Sequence, residues 1–209
     1  MNSQCKTEVI SDQLQRYCVR PVTKIYDKQV SGSTHRGLFP YVINLHNEVG
    51  FDTCVVYCKT NLEHDFAVNN TSWDTINVFA QSVYDCETVA DHFQDNVRYV
   101  KGPLNEFHKN CLEDPNIIIC EKSGRYFGEY DCKLELYNWP FSWRNQGKTD
   151  QTLEFLEENC QEFKVVSYLW GISVYMKHQE FSAIQAFLSM CLGDVDFQRS
   201  HRVTVRIIN

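Results

Sequence analysis

Apolar positions along the chain alternate far more often than they follow a helical period. In FPYVINLH, Phe39, Tyr41, Ile43 and Leu45 recur at every second position, which predicts a half-buried strand. TCVVYCK (53–59) is a second short apolar run, with Val55 and Tyr57 opposite Cys54, Val56 and Cys58, and it reads as a strand. A polar turn is predicted at Asn69-Asn70-Thr71, because Asn tolerates left-handed backbone angles, and a third strand over 75–82. After position 100 NIIICEK (116–122) is a continuous apolar run of strand length, and alternation returns in DCKLELYNW (131–139), LWGISVYMK (169–177) and HRVTVRIIN (201–209).

Helical spacing interrupts these runs in three places. Val89, Phe93 and Val97 predict a helix over 87–99, which Gly102-Pro103 breaks. Leu104, Phe107 and Cys111 predict a short helix that Asp114-Pro115 ends, since the residue before proline is pushed out of the helical region. Leu153, Leu156, Cys160 and Phe163 predict a helix with Glu154, Glu157, Glu158 and Glu162 on a solvated face. FSAIQAFLSMCLG (181–193) carries both signals: its residues are good helix formers, and FLSMCL also suits a buried strand. No long internal repeat stands out. Ser31-Gly32-Ser33 marks a loop, and the change of pattern at 100–115 predicts a boundary between a β-rich half, 1–100, and an α+β half, 101–209. The fold class predicted is mainly β, an antiparallel sandwich with a few short helices.

Composition narrows the function classes. The chain has 209 residues, a net charge of −7 and no Lys/Arg cluster, which argues against nucleic acid and against an anionic membrane surface. Aromatics at 13% favour strands with aromatic packing. Ten cysteines without an apolar leader in MNSQCKTEV predict reduced thiols and a cytoplasmic chain rather than a disulfide framework. Cys54-x3-Cys58 with His64 nearby does not match the tight knuckle of a structural zinc site, and there is no second pair, so no metal and no cofactor is expected. Cys54 or Cys58 with His46 is the least implausible nucleophile–base pairing, which keeps a cysteine-dependent hydrolase as the alternative function. Gly-rich phosphate loops, H-E-x-x-H and G-x-S-x-G are all absent.

GFDTCVVYCKTNLEHDFAVNNTSWDTINVFA resembles the closing half of a MATH (meprin and TRAF homology) domain, through Gly50-Phe51, Leu62, Asp65-Phe66, Val68-Asn69-Asn70 and Ile76/Val78. WGISVYMK, AFLSMCLGD and HRVTVRIIN resemble its opening half, and divergent nematode members are nearest in character. The halves stand in reversed order. Two tandem incomplete modules, one permuted sandwich and a different sandwich altogether all accommodate that order. The resemblance implies a sandwich of about eight strands that binds an extended peptide of a partner by main-chain pairing, often as a ubiquitin-ligase or signalling adaptor. It implies a strand within 181–193. Carried over by position, it places the peptide-binding groove at Tyr41, Glu48, Val49, Gly50 and Phe51, with Phe187 and Val205 from the other half. The family's usual Trp and Lys-Asp are replaced here by Val49 and Asn47-Glu48, and no BTB domain accompanies them. A non-catalytic interaction module is therefore expected, with a partner protein's peptide as ligand and homo-oligomers allowed.

Overall fold

The computed structural model describes residues 7–72, 74–115, 117–120, 127–137, 143–168, 171–181 and 201–206. The chain is strand-rich and divides into two compact units, residues 1–113 and 114–208.

In the first unit the strands are β1 (Val19–Pro21), β2 (Tyr26–Gln29), β3 (Arg36–Phe39), β4 (Tyr41–His46), β5 (Phe66–Ser72), β6 (Thr75–Ala80) and β7 (Val97–Gly102). The helices are α1 (Phe51–Asn61), α2 (Val83–His92) and α3 (Glu106–Glu113). The main sheet runs β1-β7-β4-β6-β5, antiparallel except for β1 beside β7. The succession β4-α1-β5-β6-α2-β7, with β4 and β6 central, is the split β-α-β arrangement of ferredoxin-like sheets. Alternation decides its two faces. Tyr41, Ile43 and Leu45 join Ile76, Val78, Ala80, Phe66, Val68 and Val100 in one core with Cys54 and Cys58 of α1 and Cys86, Val89 and Ala90 of α2. The opposite positions, Val42, Phe79 and Ala67, are buried with Val30 and Phe39 around the β2–β3 hairpin, and partly buried Tyr26 packs against them.

Among the described residues of the second unit the strands are β8 (Ile117–Cys120), β9 (Cys132–Tyr137), β10 (Phe163–Tyr168), β11 (Gly171–Met176) and β12 (His201–Arg206), with helix α4 (Trp143–Asn159). The sheet order is β10-β11-β9-β12-β8, and β8 runs parallel to β12 at the edge. This sheet repeats the order of the first unit's five-stranded sheet: β9, β10, β11 and β12 take the places of β4, β5, β6 and β7, α4 takes that of α1, and β8 takes that of β1. The internal repeat is one of topology. It escapes a reading for self-similar residues because only the alternation is repeated.

Several expectations are corrected. Residues 53–59 are helical, within α1. A short apolar run does not separate a buried strand from a buried helix. Here Gly50, at φ 78°, turns the chain out of β4, and Cys54 and Cys58 share one buried face at helical spacing. The helix expected at 87–99 starts at Val83 and stops at His92, and Val97 opens β7. Its start is set by Ser82, whose Oγ accepts the Asp85 N–H at 3.0 Å. Asn69 and Asn70 lie within β5, and the turn falls between Ser72 and Thr75. Phe163 begins a strand rather than ending a helix. β12 pairs with β8 and β9, so the final strand does not join the sheet containing β4 and the permuted single-sheet pairing is not adopted. The segment 182–193, including Phe187, lies outside the described residues.

Candidate interaction edge

A β-sheet leaves a row of main-chain donors and acceptors at each edge, and proteins usually blunt them. Among the described residues, three of the four edges of the two five-stranded sheets are short or covered. β1 has three residues and ends in Pro21, which has no N–H to offer. β8 has four residues. β5 is longer, but the hairpin loop docks on it: the Ser31 N–H donates to the Phe66 carbonyl at 2.9 Å, and the Val68 N–H donates to Ser31 Oγ at 2.9 Å.

β10 differs from these. It has six residues, and among the described residues no strand pairs with its outer side. Its start is fixed locally. The Cys160 N–H donates to the Leu156 carbonyl at 2.8 Å, and the Gln161 and Glu162 N–H groups donate to the Glu180 carboxylate at 3.1–3.3 Å. At the far end Tyr168 pairs with Gly171 across a two-residue link. Along β11 the Met176 carbonyl accepts the Asp131 N–H on the β9 side at 3.2 Å, so alternation turns Gly171, Ser173 and Tyr175 toward β10, and their partners Tyr168, Val166 and Lys164 bond inward to β11. Phe163, Val165 and Ser167 then turn their N–H and C=O groups outward.

The side chains of β10 fit the same picture. Val165 stands in register with Val174 and, through it, Leu134, both fully buried, yet it keeps 40% of its surface exposed. The apolar face of this sheet therefore runs to the rim and stops uncovered. Exposed Lys164 is a charge of the kind that guards an edge against indiscriminate pairing. The chain leading into the strand carries exposed Glu157, Glu158 and Glu162.

The residues expected to line a groove are dispersed. Tyr41 is fully buried in the first unit's core, and its hydroxyl accepts the Glu8 N–H at 2.7 Å and donates to the Glu8 carbonyl at 2.6 Å. Glu48, Val49, Gly50 and Phe51 stay together at the β4–α1 turn, where Glu48 is exposed, Phe51 is 39% exposed and Val49 packs against the core. Val205 is buried in β12 of the second unit, and Phe187 is not among the described residues. The sequence reading missed β10 because it carried the α4 pattern on through Phe163. Adjacent β-branched Val165-Val166 was the available signal.

The thiol candidates sit in the core. Cys54 and Cys58 are fully buried free thiols in hydrogen-bond contact with each other. The hydrogen bond to Cys54 and then burial push the Cys58 thiol far up, and burial does the same for Cys86. Cys160 is pushed up to about 11, by burial first and then by Glu180. His46 alternates with Leu45 and so stands on the other face of β4 from both thiols, with the sheet between them. Among the described residues no group of three His, Cys, Asp or Glu side chains is placed to hold a metal ion, and no helix is long and apolar enough to cross a membrane.

No protein-family model matches the chain, and no curated protein matches it.

Proposed function

We propose that the chain is a protein-interaction module that takes an extended peptide of a partner as an added strand on β10. The observation that carries this reading is the six-residue edge whose apolar face ends at half-uncovered Val165. An added strand would satisfy the outward main-chain groups and cover that side chain, with main-chain bonds giving affinity and the rim giving selectivity. The MATH resemblance contributes the mode of capture, main-chain pairing with an extended ligand. Recruitment to ubiquitin ligation or signalling assemblies follows only from the partner's identity.

The test is selection of displayed random heptapeptides on the full chain, followed by binding measurements on a Val165→Pro variant. Val165 donates nothing to β11, so proline at this position removes an outward donor and leaves the β10–β11 ladder intact. Selected peptides are expected to be extended, rich in β-branched residues, and to lose binding to Val165→Pro. Equal binding to both proteins would refute the proposal.

A further inference from the structure

The loop joining β2 to β3 holds a hydrogen-bonded Ser-His-Asp chain. Ser33 Oγ lies 2.8 Å from His35 Nδ1, and His35 Nε2 lies 3.0 Å from Asp65 Oδ2. The loop is held by its own bonds. Val30 N–H donates to the His35 carbonyl at 3.0 Å, Ser33 N–H donates to the Val30 carbonyl at 3.1 Å, and Gln29 Nε2 donates to the Ser33 carbonyl at 2.9 Å. Ser31 ties the loop to the start of β5, and this brings Asp65 to His35 across thirty residues of sequence.

The proton arrangement is set by the network. Ser33 Oγ accepts the His35 main-chain N–H at 3.3 Å, and its own hydrogen has Nδ1 at 2.8 Å and the Val30 carbonyl at 3.4 Å to choose between. We assign Nδ1 as the acceptor of the shorter bond, which leaves the proton on Nε2, aimed at the Asp65 carboxylate. A hydroxyl facing the unprotonated nitrogen of an imidazole whose other nitrogen is held by a carboxylate is the working order of an activated serine. Lys59 adds a cation: its Nζ lies 3.3 Å from where a Cβ on Gly32 would stand, one residue from Ser33.

We propose that Ser33 is a nucleophile, with His35 as its general base and Asp65 as a positioning residue. Its substrates are small activated esters that reach it directly from solvent. The His35 and Asp65 side chains are 58% and 47% exposed, so the site excludes no water, selects little among acyl groups and reacts slowly. In the acyl-transfer step Oγ bonds to the carbonyl carbon, His35 takes the serine proton and returns it to the departing alcohol, and water then releases the acid.

A fluorophosphonate probe on the full chain, read by peptide mass mapping, tests this. Oγ–P forms, P–F breaks, and the serine proton leaves through His35 to water alongside fluoride. The expected result is an adduct on Ser33, forming roughly a hundredfold more slowly in His35→Asn, the loss that removing a general base brings. Asp65→Asn is expected to slow it less and Asp65→Glu to recover part of the rate, which a merely structural contact would not do. Both altered positions are exposed, so far-UV circular dichroism is expected to stay unchanged. Absence of the adduct, or an adduct forming equally fast in His35→Asn, would overturn the proposal and leave the three residues as a turn lock.

Discussion

Asp85 supports the most quantitative statement about the first unit. It is a fully buried carboxylate in the first turn of α2. Its oxygens accept the Glu63 N–H at 3.1 Å, His64 Nδ1 at 2.8 Å and the Ser82 hydroxyl at 2.9 Å, while its own N–H donates to Ser82 Oγ. One side chain thus joins the segment leaving α1 to the start of α2. Asp85→Ala leaves the Glu63 N–H and the Ser82 hydroxyl without their acceptor. His64 is about half exposed and can turn to water, so its share is small. Two lost bonds to a charged group, each about 1.5–3 kcal/mol, give a cost of about 3–6 kcal/mol. Asp85→Asn keeps one acceptor and the shape, and is expected to cost about 1–2 kcal/mol by the value of a neutral bond. The assay is amide hydrogen exchange of β4 and β6, whose slowest amides report opening of the unit. A loss of about 3–6 kcal/mol speeds that exchange roughly 10²- to 10⁴-fold, at about tenfold per 1.4 kcal/mol. Exchange unchanged within tenfold in Asp85→Ala, or Asn costing as much as Ala, would mean that the Asp85 carboxylate does not hold α1 and α2 together.

Three further outcomes follow from the same core. His108 is fully buried, with Nε2 donating to the Val22 carbonyl at 2.7 Å and Nδ1 accepting the Leu104 N–H at 3.1 Å, and burial lowers its pKa below the ordinary 6.5. Below 6.5 the unfolded chain takes up a proton that the folded imidazole refuses, so its contribution to stability is full above 6.5 and falls as pH drops toward the lowered folded value. His108→Gln is expected to flatten that part of the urea-midpoint profile, and an unchanged slope would contradict it. Gly102→Ala would place a Cβ 2.6 Å from Ile10 Cγ1 and 3.0 Å from Tyr41 Cδ1, so a loss of about 1–3 kcal/mol is expected in chemical denaturation; a neutral result would mean that the N-terminal segment packs elsewhere. Tyr41→Phe removes the hydroxyl that clasps both main-chain groups of Glu8 and is expected to speed amide exchange at Glu8 while leaving peptide binding at β10 unchanged.

Some of this was legible in the sequence for physical reasons. β4 stands out because Tyr41, Ile43 and Leu45 all face one core, and β9 because Leu134 alternates with Lys133 and Glu135. α1 did not stand out: its buried side chains are two small cysteines within an apolar run that suits a strand equally well, and only the turn at Gly50 and the packing decide. β10 was hidden because Phe163 continues the helical spacing of α4. Its importance is a matter of sheet order, which no local pattern carries, as it lies at an edge while the similar run in β11 lies inside. The spacing of Ser33 and His35 is visible in the sequence, but Asp65 joins them only through docking of the loop on β5.

The most direct test of the interaction edge is residue-resolved amide exchange of the second unit with and without a selected peptide. The register predicts an alternating result: exchange slows at Phe163, Val165 and Ser167, whose amides face outward, and changes little at Lys164 and Val166, which already pair with β11. Unchanged exchange along β10 with protection appearing instead at Glu48–Phe51 would contradict the account and return the binding site to the β4–α1 turn.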